Sequence, residues 1–95
     1  MYRWPADPVH FKKHYTERHL ALCRAIPGLA HSRYAFEPVA LEGPERWFCV
    51  FEAEFEDEAT MNALLETPEA RAAAADVANF SPEPPTSLVY TLNPV

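Results

Sequence analysis

Between Asp7 and Gly28 the apolar residues recur at helical spacing. With Phe11 at zero and about 100° per residue, Leu22, Tyr15 and Ile26 fall at about 20°, 40° and 60°, and His19 borders the stripe at about 80°. Asp7-Pro8 supplies the start, since an aspartate accepts from a first-turn amide and a proline at the first helical position gives up no donor the helix uses. Pro27-Gly28 supplies the stop. The spacing predicts a helix from Pro8 to about Ala25, with one misfit: Leu20 falls at about 180°, on the solvent side, where only something outside the monomer would cover it.

The period then shortens to two. "SRYAFEPV" alternates Ser32, Tyr34 and Phe36 against Arg33, Ala35 and Glu37. "WFCVFEAEFE" places Trp47, Cys49, Phe51, Ala53 and Phe55 on one face and Phe48, Val50, Glu52, Glu54 and Glu56 on the other. Asp57 caps a predicted helix with Met61, Leu64 and Leu65 inward. Thr67-Pro68 restarts the chain into "PEARAAAADVANF", whose Ala70, Ala73, Ala74 and Val77 form a small-residue face suited to packing on a sheet. "TSLVYTL" reads as a last strand and "MYRW" as a short first one.

Strand, helix, strand, strand, helix pair, strand is the ferredoxin-like βαββαβ pattern, an α+β fold with an antiparallel sheet in a single domain spanning 1–95. Helices then cover one sheet face only. The other must carry either the Trp47/Phe51/Phe55 set or the Phe48/Val50 set. At about 1.5–3 kcal/mol per large side chain this is too much to leave wet. A homodimer that closes two sheet faces together answers the problem.

Composition narrows the class. At 48% hydrophobic and 13% aromatic the chain folds rather than staying disordered. A net charge of −6 with scattered Lys and Arg gives no footprint for nucleic acid. Cys23 and Cys49 sit in apolar contexts without CxxC spacing and read as reduced thiols of a cytoplasmic protein. No apolar run approaches the roughly 18 to 20 residues that span a membrane, and no signal-peptide core is visible. Ten prolines against two glycines mark the borders between elements.

Chemistry has few candidates. A histidine at the edge of an apolar stripe is either a packed side chain bonding a backbone carbonyl or a proton acceptor whose basicity burial has lowered, and both stand for His19. Tyr15, one turn earlier, and Tyr34 or Tyr90 on strands either line a cleft or complete the core. Glu52 and Glu54 share a strand face and read as an acidic patch before a catalytic pair. Asp76 and Asn79 are explained by capping and turn bonds. His10 and His14, at i and i+4, are placed on a face turned away from His19 and lack a third ligand, so no metal site is expected. There is no phosphate loop, nucleophile elbow or cofactor motif.

"YTERHLALCRAIPGL" resembles the helix-and-turn signature of the EthD family, and "TPEARAAAADVANF" is similar to that family's Ser-Pro-Glu, alanine-rich, Asp-x-x-Asn-Phe segment. "PADPVHF" and "FEAEFED" look like its first turn and third strand. This chain has a shorter first strand than is usual there, and Ala21 stands where the family tends to have proline. The resemblance implies a dimeric α+β barrel of ferredoxin-like subunits. It also implies a small-molecule cleft between helices and sheet and carries His19 onto the family's helix histidine. The expectation built on both is a small, mostly apolar organic ligand, His19 as catalytic base or polar anchor, and Tyr15, Tyr34 and Phe80 lining the ligand. Cofactor-free proton-transfer or oxygen chemistry fits. A non-catalytic dimeric carrier with His19 structural is the alternative, and a haem-handling relative of the same barrel type a third.

Overall fold

The computed structural model describes residues 1–29 and 31–95. Its elements are β1 (Tyr2–Arg3), α1 (Pro8–His14), a π-helical turn (Tyr15–His19), α2 (Leu20–Arg24), β2 (His31–Phe36), β3 (Trp47–Glu54), α3 (Glu58–Leu65), α4 (Pro68–Asp76) and a 3-10 turn (Val77–Asn79). Among the described residues the sheet has three antiparallel strands in the order β1-β3-β2. The α+β class with an antiparallel sheet is therefore as expected.

The caps are those the sequence announces. Asp7 accepts from the His10 amide at 3.0 Å, Asp57 from that of Thr60 at 2.7 Å and Thr67 from that of Ala70 at 3.2 Å, with Pro8 and Pro68 in first-turn positions. Gly28 turns the chain between α2 and β2 at φ 83°, a left-handed conformation that glycine adopts without Cβ strain.

The first helix departs from the expected α-register. At its middle the Leu20 amide donates to the Tyr15 carbonyl, five residues back, instead of four. Thr16 turns its hydroxyl onto the Lys12 carbonyl at 2.8 Å, satisfying an acceptor within the disturbed ladder. One extra residue in a turn sets back the phase of everything after it by about 100°, which moves Leu20 from about 180° to about 80° and Cys23 from about 120° to about 20°. Leu20 is 7% exposed and belongs to the core of the monomer. The expectation that an outside partner covers it is thereby corrected.

Two clusters make the core. Tyr2, Phe11, Tyr15, Leu20, Phe48, Cys49 and Phe80 form one; Cys23, Ile26, Leu64, Ala70 and Ala73 form the other. Small residues on α4 meet α2 rather than the sheet, and Ala74, expected inward, is exposed, because the inward line is Ala70, Ala73 and Asp76. On α3, Leu64 takes the inward position beside Gly28 while Leu65, also expected inward, is 55% exposed, one helical step round the axis.

The sheet faces are sorted by an irregularity in β3. Tyr2 pairs with Cys49 and Arg3 with Trp47, so Phe48 is passed over in the ladder. Phe48 turns inward against Phe11, with ring centroids 4.9 Å apart, beside the equally buried Cys49. Neither face set anticipated from strict alternation survives. Phe48, Cys49, Phe51 and Phe55 face the helices; Trp47, under the Arg3 guanidinium at 4.9 Å, and Val50 with its partner Ala35 face away.

The final strand expected over 86–92 does not form. Thr86 and Met1 exchange both backbone bonds, at 2.9 and 2.8 Å, as an antiparallel pair does, and the chain then leaves with Leu88, Val89, Tyr90 and Leu92 exposed. Since β1 is only two residues long, it offers no edge along which a strand can zip.

The shifted register predicts that Leu20→Ala lowers the unfolding free energy by about 2–5 kcal/mol, as expected of a buried leucine. Leu22→Ala, at a half-buried position, should cost less. Urea denaturation of both variants checks the order, which an uninterrupted α-helix would reverse.

Candidate functional site

The extra residue also brings together side chains five apart. His14 and His19 would stand about 140° apart on an α-helix; across the π turn both reach Asp76 at the end of α4. His19 Nδ1 lies 3.0 Å from Asp76 Oδ2, and His14 Nε2 lies 2.9 Å from Oδ1 and 3.1 Å from Oδ2. Asn79 Nδ2 donates to Oδ1 at 3.0 Å. An ionised carboxylate only accepts, so each imidazole donates from the nitrogen that faces it. Nδ1 of His19 is thus the protonated one in its neutral form, and the lone pair sits on Nε2, to which no described residue hydrogen-bonds.

Asp76 is 9% exposed and His19 5%. Burial pushes the Asp76 carboxyl upward, but the donors Asn79, His14 and His19 outweigh it and hold the group below its ordinary value, so it stays ionised. For His19 burial is the larger effect and lowers its pKa, with the Asp76 hydrogen bond opposing in part. A neutral imidazole held by a buried carboxylate is the arrangement that orients a base and then stabilises its cation.

Uninterrupted α-helical spacing puts His10 and His14 on a face away from His19. For His14 the structure corrects this, and the cause is again the π turn. His10 remains outside, bonding the Asn79 carbonyl at 3.0 Å. Capping was the expected explanation of Asp76 and Asn79, yet Asp76 is the centre of the buried cluster and Asn79 one of its donors. The available signal was a carboxylate in phase with Ala70 and Ala73 on the inward line of α4.

Tyr15 and Phe80 wall the imidazole, their ring centroids 5.2 and 4.7 Å from that of His19. Tyr15 exposes nothing, and burial pushes its phenol far up. Phe80 is 4% exposed. Tyr34, half exposed, sits 5.5 Å from Tyr15 and lines two open clefts. One, of about 160 Å³, lies between α2 and the sheet, bounded by Leu20, Cys23, Leu29, Tyr34 and Phe51. The other, of about 150 Å³, lies by Ala35, Val50 and Glu52. His19 lines neither. The Tyr15 ring stands between it and Tyr34.

Both cysteines are free and buried, and burial raises their pKa values, that of Cys49 to about 11, so neither is an activated nucleophile. Glu52 and Glu54 are spoken for by the Arg33 guanidinium, 3.0 Å from each, on the sheet face away from the helices. Among the described residues no group of three or more His, Cys, Asp or Glu side chains is placed to hold a metal ion, and no helix is long and apolar enough to cross a membrane.

These features define a small α+β protein with a buried carboxylate–imidazole pair under its first helix. The EthD domain family model matches residues 4–83. A protein described as an uncharacterised 11.0 kDa protein in the thcB–thcC intergenic region of Rhodococcus erythropolis is 36% identical over 83 residues, which are 85% of this chain and 79% of that one. The crystal structure of an ethyl tert-butyl ether d (EthD) family protein from Bacillus halodurans matches with a TM-score of 0.75 and 26% identity, over 85% of this chain and 81% of that one. The chain belongs to the EthD family.

Linkage sets a pH dependence. The native pKa of His19 lies below its ordinary 6.5, so the folded state binds fewer protons than the unfolded one as the medium is acidified. Its contribution to stability is complete above 6.5 and is lost as pH falls from there through the lower native value; Asp76, also lowered, acts in the same direction below 3.8. Melting temperature should therefore fall between pH 7 and 5, and His19→Gln, which has no proton to take up, should flatten that part of the curve.

Proposed function

We propose that the protein is a homodimer that binds a small, mostly apolar organic compound beside His19 in the cytoplasm and serves its catabolism, with His19 as general base. The single observation behind this is the Asp76–His19 bond: a neutral imidazole whose Nδ1 is committed to a buried carboxylate offers Nε2 as proton acceptor. The reaction this supports is removal of a proton from a C–H or O–H acid of the ligand. Nε2 takes the proton, the ligand keeps the electron pair, and the imidazolium formed is paired with Asp76. Phe80 and Tyr15 would keep water from the imidazole, and Tyr34 would meet the ligand at the mouth.

Family membership supports the catabolic setting, since the Bacillus halodurans relative is described by ethyl tert-butyl ether. The sheet face away from the helices supports the dimer: Trp47, Val50 and Ala35 at one end form an apolar patch beside the ion-paired Arg33–Glu52–Glu54 group at the other. Two free, buried thiols suit a reducing compartment.

A second reading, a non-catalytic carrier, draws on the clefts. Each has room for a ring-sized ligand, as a dry cavity of roughly 150 Å³ takes up benzene, and each touches Tyr34 without touching His19.

Deuterium uptake from D2O into a panel of small carbon acids, followed by proton NMR, separates the two. A general base gives wild-type exchange that falls by about 10²–10⁴-fold in His19→Gln with the fold retained; equal exchange in both proteins leaves the carrier. Sedimentation equilibrium is expected to give twice the 10.8 kDa chain mass, and a single-chain mass at micromolar concentration contradicts the dimer.

A further inference from the structure

His14 has no part in the proton transfer just described, yet it is held as closely as His19. Its Nε2 spans both oxygens of Asp76, its ring stacks on Phe80 at 5.5 Å and 28°, and its side chain is 14% exposed against 7% for that of His19, so it is the more solvent-facing of the two. Asp76 offers about four lone-pair sites on two oxygens. Asn79 takes one on Oδ1, His19 one on Oδ2, and His14 draws on both.

We propose that His14 is a positioning residue that sets the basicity of His19: by holding Asp76 from the solvent side it withholds part of the carboxylate's charge from the imidazolium that His19 becomes. A carboxylate serving His19 alone would stabilise that cation more strongly and leave the base already protonated near neutral pH. Sharing keeps the carboxylate ionised and His19 neutral. Around the two imidazoles stand Asp76 from α4, His10 from α1, its ring 6.0 Å from His14, and Tyr15 from the π turn, with Cys23 from α2 and Tyr2 from β1 near enough to Asp76 to feel its charge. Of these Asp76 carries the fixed charge, and it is the one both imidazoles touch. The inference rests on His19 being the base for its purpose, but its measurement needs no ligand.

Long-range proton–nitrogen NMR of the full chain, recorded against pH, reads the tautomer and midpoint of each imidazole. In the wild type, neutral His14 is expected to carry its proton on Nε2; a proton on Nδ1 overturns the proposal before any substitution is made. His14→Phe keeps the ring on Phe80 and removes the donor, so the His19 midpoint should move upward. His14→Gln restores a neutral donor and should bring it back toward the wild-type value. An unmoved or lowered midpoint in His14→Phe, or a glutamine variant that titrates like the phenylalanine one, overturns it; if the phenylalanine variant does not fold, the wild-type tautomer and the glutamine variant still decide. Deuterium exchange insensitive to His19→Gln would remove the base and leave this result standing.

Discussion

The turn at Tyr15–His19 is the constraint on which the rest depends. A helix with five-residue hydrogen bonding in its middle is less favourable than an unbroken α-helix, so something must hold it there. Two burials do. Leu20 and Cys23 reach the core only in the shifted phase, and the Asp76 carboxylate, nearly out of water, finds two imidazole donors only because His14 and His19 have been turned to the same side. Straightening the helix would expose a leucine and strip a buried charge of a donor, each a loss on the scale of kilocalories.

The same turn ties core to chemistry. Tyr15 opens it and lies between Phe11, Phe36 and Phe80, so the aromatic cluster fixes where the turn begins. His19 closes it, and its ring is fixed on one side by Phe80 and on the other by Asp76. The imidazole is thus positioned by side chains that are themselves packed, from the first helix and from the end of α4, rather than by a loop. Rigidity of this kind is what a base or a ligand anchor needs.

Most of the fold was legible in the sequence. Asp7-Pro8, Asp57 and Thr67-Pro68 announce their helices through local chemistry that tertiary contacts do not override, and the alternation from Trp47 to Glu54 announces the central strand. What was not legible were register shifts of one residue. The π turn makes Leu20 look misplaced and His14 look remote from His19; the passed-over Phe48 makes the two faces of β3 look cleaner than they are. Each left a trace, an apolar residue on a polar face in the first case and two neighbouring aromatics, Trp47 and Phe48, in the second. Asp76 was obscured for a different reason: an aspartate near a helix end has a sufficient local explanation, and only the packing of α4 on α2 shows that it points inward.

The backbone of the turn can be tested without touching a side chain. Scalar coupling across hydrogen bonds, measured by NMR on the isotopically labelled protein, identifies the carbonyl that accepts the Leu20 amide. Coupling to the Tyr15 carbonyl is the result this account requires. Coupling to that of Thr16 would mean an ordinary α-helix, with Leu20 on the solvent side and His14 out of reach of the carboxylate it is said to share.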